Sequence, residues 1–273
     1  MTNELRTLHL DTQLQIEAYQ FQGIMQKFSP HFHEYYVIGF IEAGQRQLIC
    51  KGKEYIINPG DLLLFNPYDI HSCEQIDHLT LDYRCINVSI DVMREFNQGE
   101  LPYFVHNVLV DHPLTQTLKQ LHSSIVSAED QLAKEALFQQ LLQSLIEQYT
   151  DTSIQHAHVV SHQHPDIQTV CHYLEQHYSQ TVTLAELSDL IGYNKYQLIR
   201  AFQDEKKITP YNYLETIRIN KAKELLEQGT PLIEVAIHTG FSDQSHFSKF
   251  FKKMVGLTPK QYLNVFRQER LSS

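Results

Sequence analysis

The stretch PLIEVAIHTGFSDQSHFSKFFKKMVGLTP, residues 231 to 259, places apolar side chains at Leu232, Val235 and Ala236 and, beyond Gly240, at Phe247, Phe250 and Phe251. Spacings of three and four residues within each half predict two short helices, each with one buried face. Gly240 stands at the break, where the chain must leave a helix and turn sharply. Two such helices joined by a Gly-containing turn form a helix-turn-helix, whose second helix enters the DNA major groove. That helix carries Ser242, Asp243, Gln244, Ser245, His246, Ser248, Lys249, Lys252 and Lys253 outside the apolar face. A helix that only packs against a core has no need of so many hydrogen-bonding groups, although a solvated face is the plainer reading.

The unit occurs twice. Upstream lies TLAELSDLIGYNKYQLIRAFQDEKKITP, residues 183 to 210. Leu184, Leu187, Gly192, Leu198, Arg200, Phe202, Thr209 and Pro210 match Leu232, Val235, Gly240, Phe247, Lys249, Phe251, Thr258 and Pro259, with offset 48 before the turn and 49 after it. The second copy therefore has one extra residue in its turn. A repeat of one supersecondary unit at this spacing implies two similar modules in tandem. Ile217-Arg218, Ala222, Leu225-Leu226, Ala236, Gly240-Phe241, Ser245, Phe247-Ser248, Phe250 to Lys253, Gly256 and Thr258-Pro259 resemble the DNA-binding domain of the AraC/XylS family of bacterial transcription regulators. The likeness spans roughly residues 166 to 268. The first copy departs from the pattern: Lys207 stands where Gly256 does, and Ser188 where Ala236 does. A less well capped recognition helix is expected there.

Around this core the chain divides by charge. The 273 residues hold 22 Lys and Arg against 32 Asp and Glu, a net charge of −10. Residues 166–273 hold 13 and 12, while residues 1–165 hold 9 and 20. The acid thus lies ahead of the helical repeats. Phosphate neutralisation normally supplies much of the affinity for DNA, so clusters such as Lys249, Lys252 and Lys253 must carry it. A sequence-blind architectural protein would need a far more basic surface. The length suffices for two domains with cores of their own. No apolar run approaches a membrane span, and the first residues lack the basic and apolar blocks of a signal peptide. Cys50, Cys73, Cys85 and Cys171 have no metal-motif spacing and read as reduced thiols. A cytoplasmic protein is the simplest account.

Residues 1 to about 105 read as β: YYVIGFI (35–41), RQLIC (46–50), EYIIN (54–58) and DLLLF (61–65) are separated by turn signals. Many short strands at such spacing predict a barrel or jelly roll. The pattern FSPHFHEYYVIGFIEAG followed by NPGDLLLFNPYDIHS resembles the cupin-like sensor domain of the same family. His31 and His33 are two apart, so on a strand they point to one side, and His71 follows the strand after the Pro59-Gly60 turn. In enzymatic cupins a similar His-x-His, a later Glu and a further His hold a metal. Here Glu34 adjoins His33, and Leu62 to Leu64 occupy the place of the later His. An effector pocket without metal is the leading expectation. Zinc held by the three imidazoles and merely structural histidines are the alternatives. Tyr35, Tyr36, Arg46, Asn66, Tyr68 and Tyr83 are candidates to line the pocket, and buried aromatic core is the commoner fate of such tyrosines.

Two amphipathic helices follow. Residues 111–126 carry Leu114, Leu118, Leu121 and Ile125 on one stripe, and residues 129–149 carry Leu132, Ala136, Leu137, Leu141, Leu145 and Tyr149. They can cover the barrel or pair with a second subunit, and the family resemblance favours pairing. Residues 150–165, TDTSIQHAHVVSHQHP, lack a core-forming period and read as a linker, its histidines at 156, 158, 162 and 164 reflecting composition rather than chelation. A helix at 166–178 then presents Ile167, Val170, Cys171, Leu174 and Tyr178. Thr183 with Glu186 forms a capping box. Thr209-Pro210 opens a helix that Gln228-Gly229 closes. Some twenty residues span about 30 Å, close to the roughly 34 Å between successive major-groove faces.

The expected fold class is α+β with two domains. Residues 1–149 form a cupin-like β-barrel with two trailing helices for effector binding and dimerisation. After the linker, residues 166–273 form an all-α domain of two helix-turn-helix modules joined by a long helix. The expected function is a sequence-specific transcription regulator, an activator by the family's commoner mode; the rival is a metal-dependent cupin enzyme carrying a DNA-binding domain. Base and phosphate contacts are expected from Asn194, Lys195, Tyr196, Gln197 and Arg200 in module one, and from Ser242, Asp243, Gln244, His246, Lys249, Lys252 and Lys253 in module two. Arginine suits guanine and the amides suit adenine, and Lys252 and Lys253 suit phosphates. His31, His33, Tyr35, Arg46 and His71 are the expected effector-binding set, with no metal, cofactor or catalytic residue. The run HFHEYYVIG resembles regulators found beside amino-acid exporters, which implies an amino acid or other small polar metabolite. The expected partners are promoter or operator duplex DNA, that effector, a second copy of the chain and RNA polymerase, with no membrane.

Overall fold

From Leu5 to Val88 the chain runs as a succession of short strands, because β-branched and aromatic residues alternate there with Gly, Pro and Asn turns. The computed structural model describes residues 4–76, 78–128, 130–151 and 164–272. The strands are β1 (Leu5–Asp11), β2 (Ile16–Ile24), β3 (Phe28–His31), β4 (Tyr36–Ala43), β5 (Arg46–Cys50), β6 (Lys53–Ile57), β7 (Leu62–Phe65), β8 (His71–Gln75), β9 (Leu81–Val88) and β10 (Val108–Leu109). They form a six-stranded sheet, order β1-β2-β9-β4-β7-β10, and a four-stranded sheet, order β3-β8-β5-β6. Helix α1 (Ile90–Phe96), absent from the sequence-based reading, is capped by Ser89. Helices α2 (Leu114–Val126) and α3 (Gln131–Tyr149) follow. This is the cupin-like domain with two trailing helices.

Its core joins Tyr36, Ile38 and Phe40 of β4, Leu62 and Leu64 of β7 and Ile86 and Val88 of β9 to Leu118 and Leu121 of α2 and Leu141 and Leu145 of α3. The α2 stripe is as expected. The α3 stripe is corrected: Leu132 is 73% exposed and Ala136 is exposed, while Lys134, Phe138, Leu141, Leu142 and Leu145 are buried. Lys134 Nζ lies 2.6 Å from Asp11 Oδ2, also buried. A buried ammonium is tolerated only with such a partner, and this pairing from β1 sets which face of α3 turns inward.

By compactness the chain divides into two units, one of residues 1–27 and 33–157, the other of residues 28–32 and 158–273. Residues 152–163, most of the expected linker with His156, His158 and His162, lie outside the described residues. Thr150 pairs with Phe104 and His164 caps the following helix. None of the four cysteines is in a disulfide. No helix among the described residues is long and apolar enough to cross a membrane.

The second unit is all α: α4 (Pro165–Gln176), α5 (Leu184–Ile191), α6 (Lys195–Lys206), α7 (Pro210–Glu227), α8 (Leu232–His238), α9 (Gln244–Val255) and α10 (Pro259–Ser272). Helix α7 lies where Thr209-Pro210 and Gln228-Gly229 predict it, with Thr209 as its N-cap. The apolar positions of both repeats are buried: Leu187, Leu198 and Phe202 in one, Val235, Ala236, Phe247 and Phe251 in the other. Arg218, in the middle of α7, ties the unit together. Its guanidinium donates to Tyr178 O (2.8 Å), Gln180 O (2.9 Å) and Glu215 Oε1 (3.2 Å), and lies 5.8 Å from the Phe241 ring.

Candidate DNA-binding faces and histidine site

In module one Thr183 and Glu186 form the expected capping box at α5, and Gly192 closes that helix at φ 70°. The chain re-enters helix at once, because Asn194 caps α6: its Oδ1 accepts from Tyr196 N (3.0 Å) and Gln197 N (2.9 Å). Gln197 Oε1 returns the bond, accepting from Asn194 N at 3.0 Å. Two of the five DNA-contact candidates therefore also hold the start of α6. Lys195, Tyr196 and Arg200 are exposed beyond the cap, Tyr196 by 87%, and Arg200 Nε stands 3.7 Å from Asp204 Oδ2. Such an exposed pair contributes little stability and leaves the guanidinium available for exchange to an anion.

In module two the extra residue lengthens the turn to Gly240-Phe241-Ser242-Asp243, and Phe241 turns inward against Phe247. Asp243 caps α9, Oδ1 accepting from His246 N at 2.7 Å, and that bond lowers its carboxyl pKa. Ser242, Gln244, His246, Lys249, Lys252 and Lys253 are exposed. Lys252 and Lys253 lie in the last turn of α9, where cations also complement the helix dipole. Both second helices thus present polar faces opposite their buried aromatic seams.

His33 and His71 come together, though not by strand alternation. Strand β3 ends at His31, so His33 lies outside it. His31 and His71 are buried and His33 is half-buried. His71 opens β8, and its ring stacks on Phe65 at 4.1 Å and meets the His33 ring at 5.1 Å. Burial pushes the His71 imidazole down to about 4, so the ring is neutral at pH 7. Tyr35 stacks on His33 at 4.9 Å. Arg46 is fully buried, donating to Gln45 O (3.0 Å), Leu79 O (2.9 Å) and Ile24 O (2.7 Å), and so clamps neighbouring chain segments. Of the other candidates, Tyr36 is core, its hydroxyl on Pro102 O at 2.8 Å, and Tyr68 is exposed.

One positioning residue escaped the sequence reading. Asp69 is buried, and its Oδ2 accepts from Asn66 N (3.1 Å), Asn66 Nδ2 (3.0 Å) and Asn107 Nδ2 (2.9 Å). Its carbonyl receives His71 Nδ1 at 2.9 Å, and Tyr68 N donates to His33 O at 2.7 Å. The signal was the run Asn66-Pro67-Tyr68-Asp69, legible only as a turn.

Two family models match the chain, an AraC-like ligand binding domain over residues 13–142 and a helix-turn-helix domain over residues 187–264. An uncharacterized HTH-type transcriptional regulator of Bacillus subtilis strain 168, YbfI, is 57% identical over 251 residues, 90% of each chain. The chain belongs to the AraC family of transcription regulators. The HTH-type transcriptional activator RhaS of Escherichia coli O157:H7 is 25% identical over 250 residues, 85% of this chain and 86% of that one. Among solved structures, unsaturated fatty acid bound ToxT from Vibrio cholerae aligns with TM-score 0.52 at 16% identity, covering 96% of this chain and 97% of that one. Likeness at that identity speaks for the fold alone. As a member of the AraC family the chain is a DNA-binding transcription regulator, with a ligand-binding domain ahead of its helix-turn-helix domain.

Proposed function

We propose that this AraC family member is a cytoplasmic activator, not an enzyme, that works as a homodimer in contact with RNA polymerase and senses a small polar metabolite. The name of the activator RhaS, similar over 85% of this chain, supports the mode. The observation that carries the reading is the pair of capped helices α6 and α9, each with a polar face opposite a buried seam. Helix α7, 18 residues and so about 27 Å long, suits placement of the two in neighbouring major grooves of one duplex. Arg200, Lys195 and Tyr196, with Gln244, His246 and Lys249, are assigned to base edges, and Ser242, Lys252 and Lys253 to phosphates. Asn194, Gln197 and Asp243 contribute as caps that aim those side chains. His31, His33, Tyr35 and His71 are assigned to the effector, with Arg46 holding the surrounding strands. The working boundaries are 1–149 for the sensor, 150–165 for the linker and 166–273 for the DNA-binding domain.

Titration of operator and random duplexes with the full chain and with a fragment beginning at His164 tests this reading. The fragment should bind DNA with its helical circular dichroism intact, and more weakly than the full chain if dimerisation runs through the sensor. Equal affinity for operator and random DNA would refute sequence-specific recognition. A thermal-shift screen against metabolites identifies the effector, since a ligand of the folded state raises its melting temperature.

A further inference from the structure

We propose that Arg218 is a positioning residue that fixes the two recognition helices relative to each other, and with them the base-pair spacing the protein accepts between its two DNA subsites. The inference rests on the reading of α6 and α9 as helices that enter neighbouring grooves, and adds what sets the distance between them. Helix α7 alone does not set it. The rod ends at Gln228 and passes into Gly229 at φ 89°. A short join of that kind acts as a hinge, leaving the module beyond it free to swivel about the rod. Only lateral contacts remove that freedom.

Each recognition helix is tied to α7 through a tyrosine. Phe202, on the buried seam of α6, packs on Tyr213 of α7 at 5.5 Å, and the Tyr213 hydroxyl donates to Glu175 Oε1 at 2.9 Å. Phe251 of α9 meets Tyr262 of α10 at 5.6 Å, and the Tyr262 hydroxyl donates to Glu227 Oε1 at 2.5 Å. These contacts hold each module to its own end of the rod. The modules meet at Tyr178–Gln180, the segment between α4, which packs on α5 and α6, and α5 itself. Gly240 of module two backs onto this segment so closely that a Cβ there would stand 2.8 Å from Tyr178 O. Arg218 closes the junction. Its guanidinium donates to Tyr178 O and Gln180 O on the module-one side and lies over Phe241 on the module-two side. Glu215, one turn back on α7 and itself buried, supplies the counter-charge. A planar fork with five donors holds two carbonyls and a carboxylate at once, which a lysine's point charge does not.

The test selects the preferred duplex of the full chain from a random pool, and locates each subsite by the base preference lost in Arg200→Ala or Gln244→Ala. One base pair is then inserted between the subsites, which moves one of them about 3.4 Å along the axis and about 35° around it. The native chain should lose about tenfold or more in affinity, since a rigid pair no longer engages both subsites. Arg218→Lys keeps the charge without the fork; it should bind the original spacing about tenfold more weakly and lose no more than about threefold on insertion. A duplex carrying the module-one subsite alone should bind both proteins alike, which a general loss of stability would not produce. Because Arg218 is buried, Glu215→Gln, isosteric but without the counter-charge, serves as the second variant and decides the matter if Arg218→Lys does not fold by circular dichroism. It should reduce the insertion penalty in the same direction. A native chain indifferent to the insertion, or a penalty undiminished in the folded variants, would overturn the proposal while leaving the two-helix reading in place. Failure to find two subsites at all would remove that reading, and the proposal with it.

Discussion

Module one and module two share one pattern of apolar residues yet are held by different means. In module two the turn is a packing device. Gly240 sits at φ 76°, and a Cβ there would stand 2.8 Å from Tyr178 O and 2.9 Å from the carbonyl of Ser179. Phe241, the residue after it, is buried among Phe247, Phe250 and Arg218. In module one Gly192 has the same hand, φ 70°, but a Cβ would meet nothing within 4 Å. There the turn relies on reciprocal bonds between Asn194 and Gln197. The helix ends differ as well: α9 closes at Gly256, φ 89°, while α6 closes at Lys207 in the same left-handed region, φ 58°. A glycine motif can therefore mean either backbone freedom alone or backbone freedom plus close approach, and the second is far less forgiving.

The sharpest way to break this comparison is to add one methyl at each turn. Gly240→Ala should cost about 3 kcal/mol or more, combining the left-handed penalty of about 1–2 kcal/mol with a clash against backbone. Gly192→Ala should cost only that first penalty, about 1–2 kcal/mol. Urea denaturation of the two variants decides it, and equal losses would mean the turns are equivalent. DNA binding tests whether the modules share the reading. Arg200→Ala and Gln244→Ala should each relax base preference by about 1–3 kcal/mol at one position. Lys253→Ala should weaken binding to every sequence and reduce the salt slope by about one unit. Unchanged preference in both base-reading variants would sink the assignment.

Lys207→Gly should stabilise module one by about 1 kcal/mol, since it relieves a side chain from the left-handed region. A loss of stability would show that Lys207 makes up its strain through contacts. The smallest expected difference is in pH response. Asp243 has its carboxyl pKa lowered by the bond from His246 N. Its cap contribution is thus present above pH 3.8, the ordinary value, and is lost as pH falls through the depressed one. The Asn194 cap has no such dependence. Titration by NMR should find the Asp243 midpoint below 3.8, with the Gln197 amide unmoved by titration of its own cap. A midpoint at or above the ordinary value would deny the carboxylate its capping role.

Much of this was legible because it is local. The offset of 48 turning to 49 already marked the longer second turn, and Thr183-Glu186, Thr209-Pro210 and Gln228-Gly229 marked helix ends that the structure places within a residue. The inward turn of Phe241 was not legible, because Tyr193 in the first copy is as aromatic and is only half-buried. The α3 stripe misled in the same way. Leu132 and Ala136 fit a helical period, but Lys134 faces inward because Asp11, on the first strand, supplies its counter-charge.

Sequence by itself thus determined the two-domain order, the tandem helix-turn-helix units, the length of α7 and the polar faces of α6 and α9, since helix periodicity and capping act within a few residues. Tertiary structure decided what depends on partners far along the chain. The His33–His71 ring contact joins residues from β4's approach and the start of β8, set by the Asn66–Asp69 turn rather than by strand alternation. The fate of Arg46 was decided by carbonyls at Ile24 and Leu79, and the tightness at Gly240 by carbonyls at Tyr178 and Ser179. A residue type fixes which bonds a side chain can make, but only the fold brings the partners within reach.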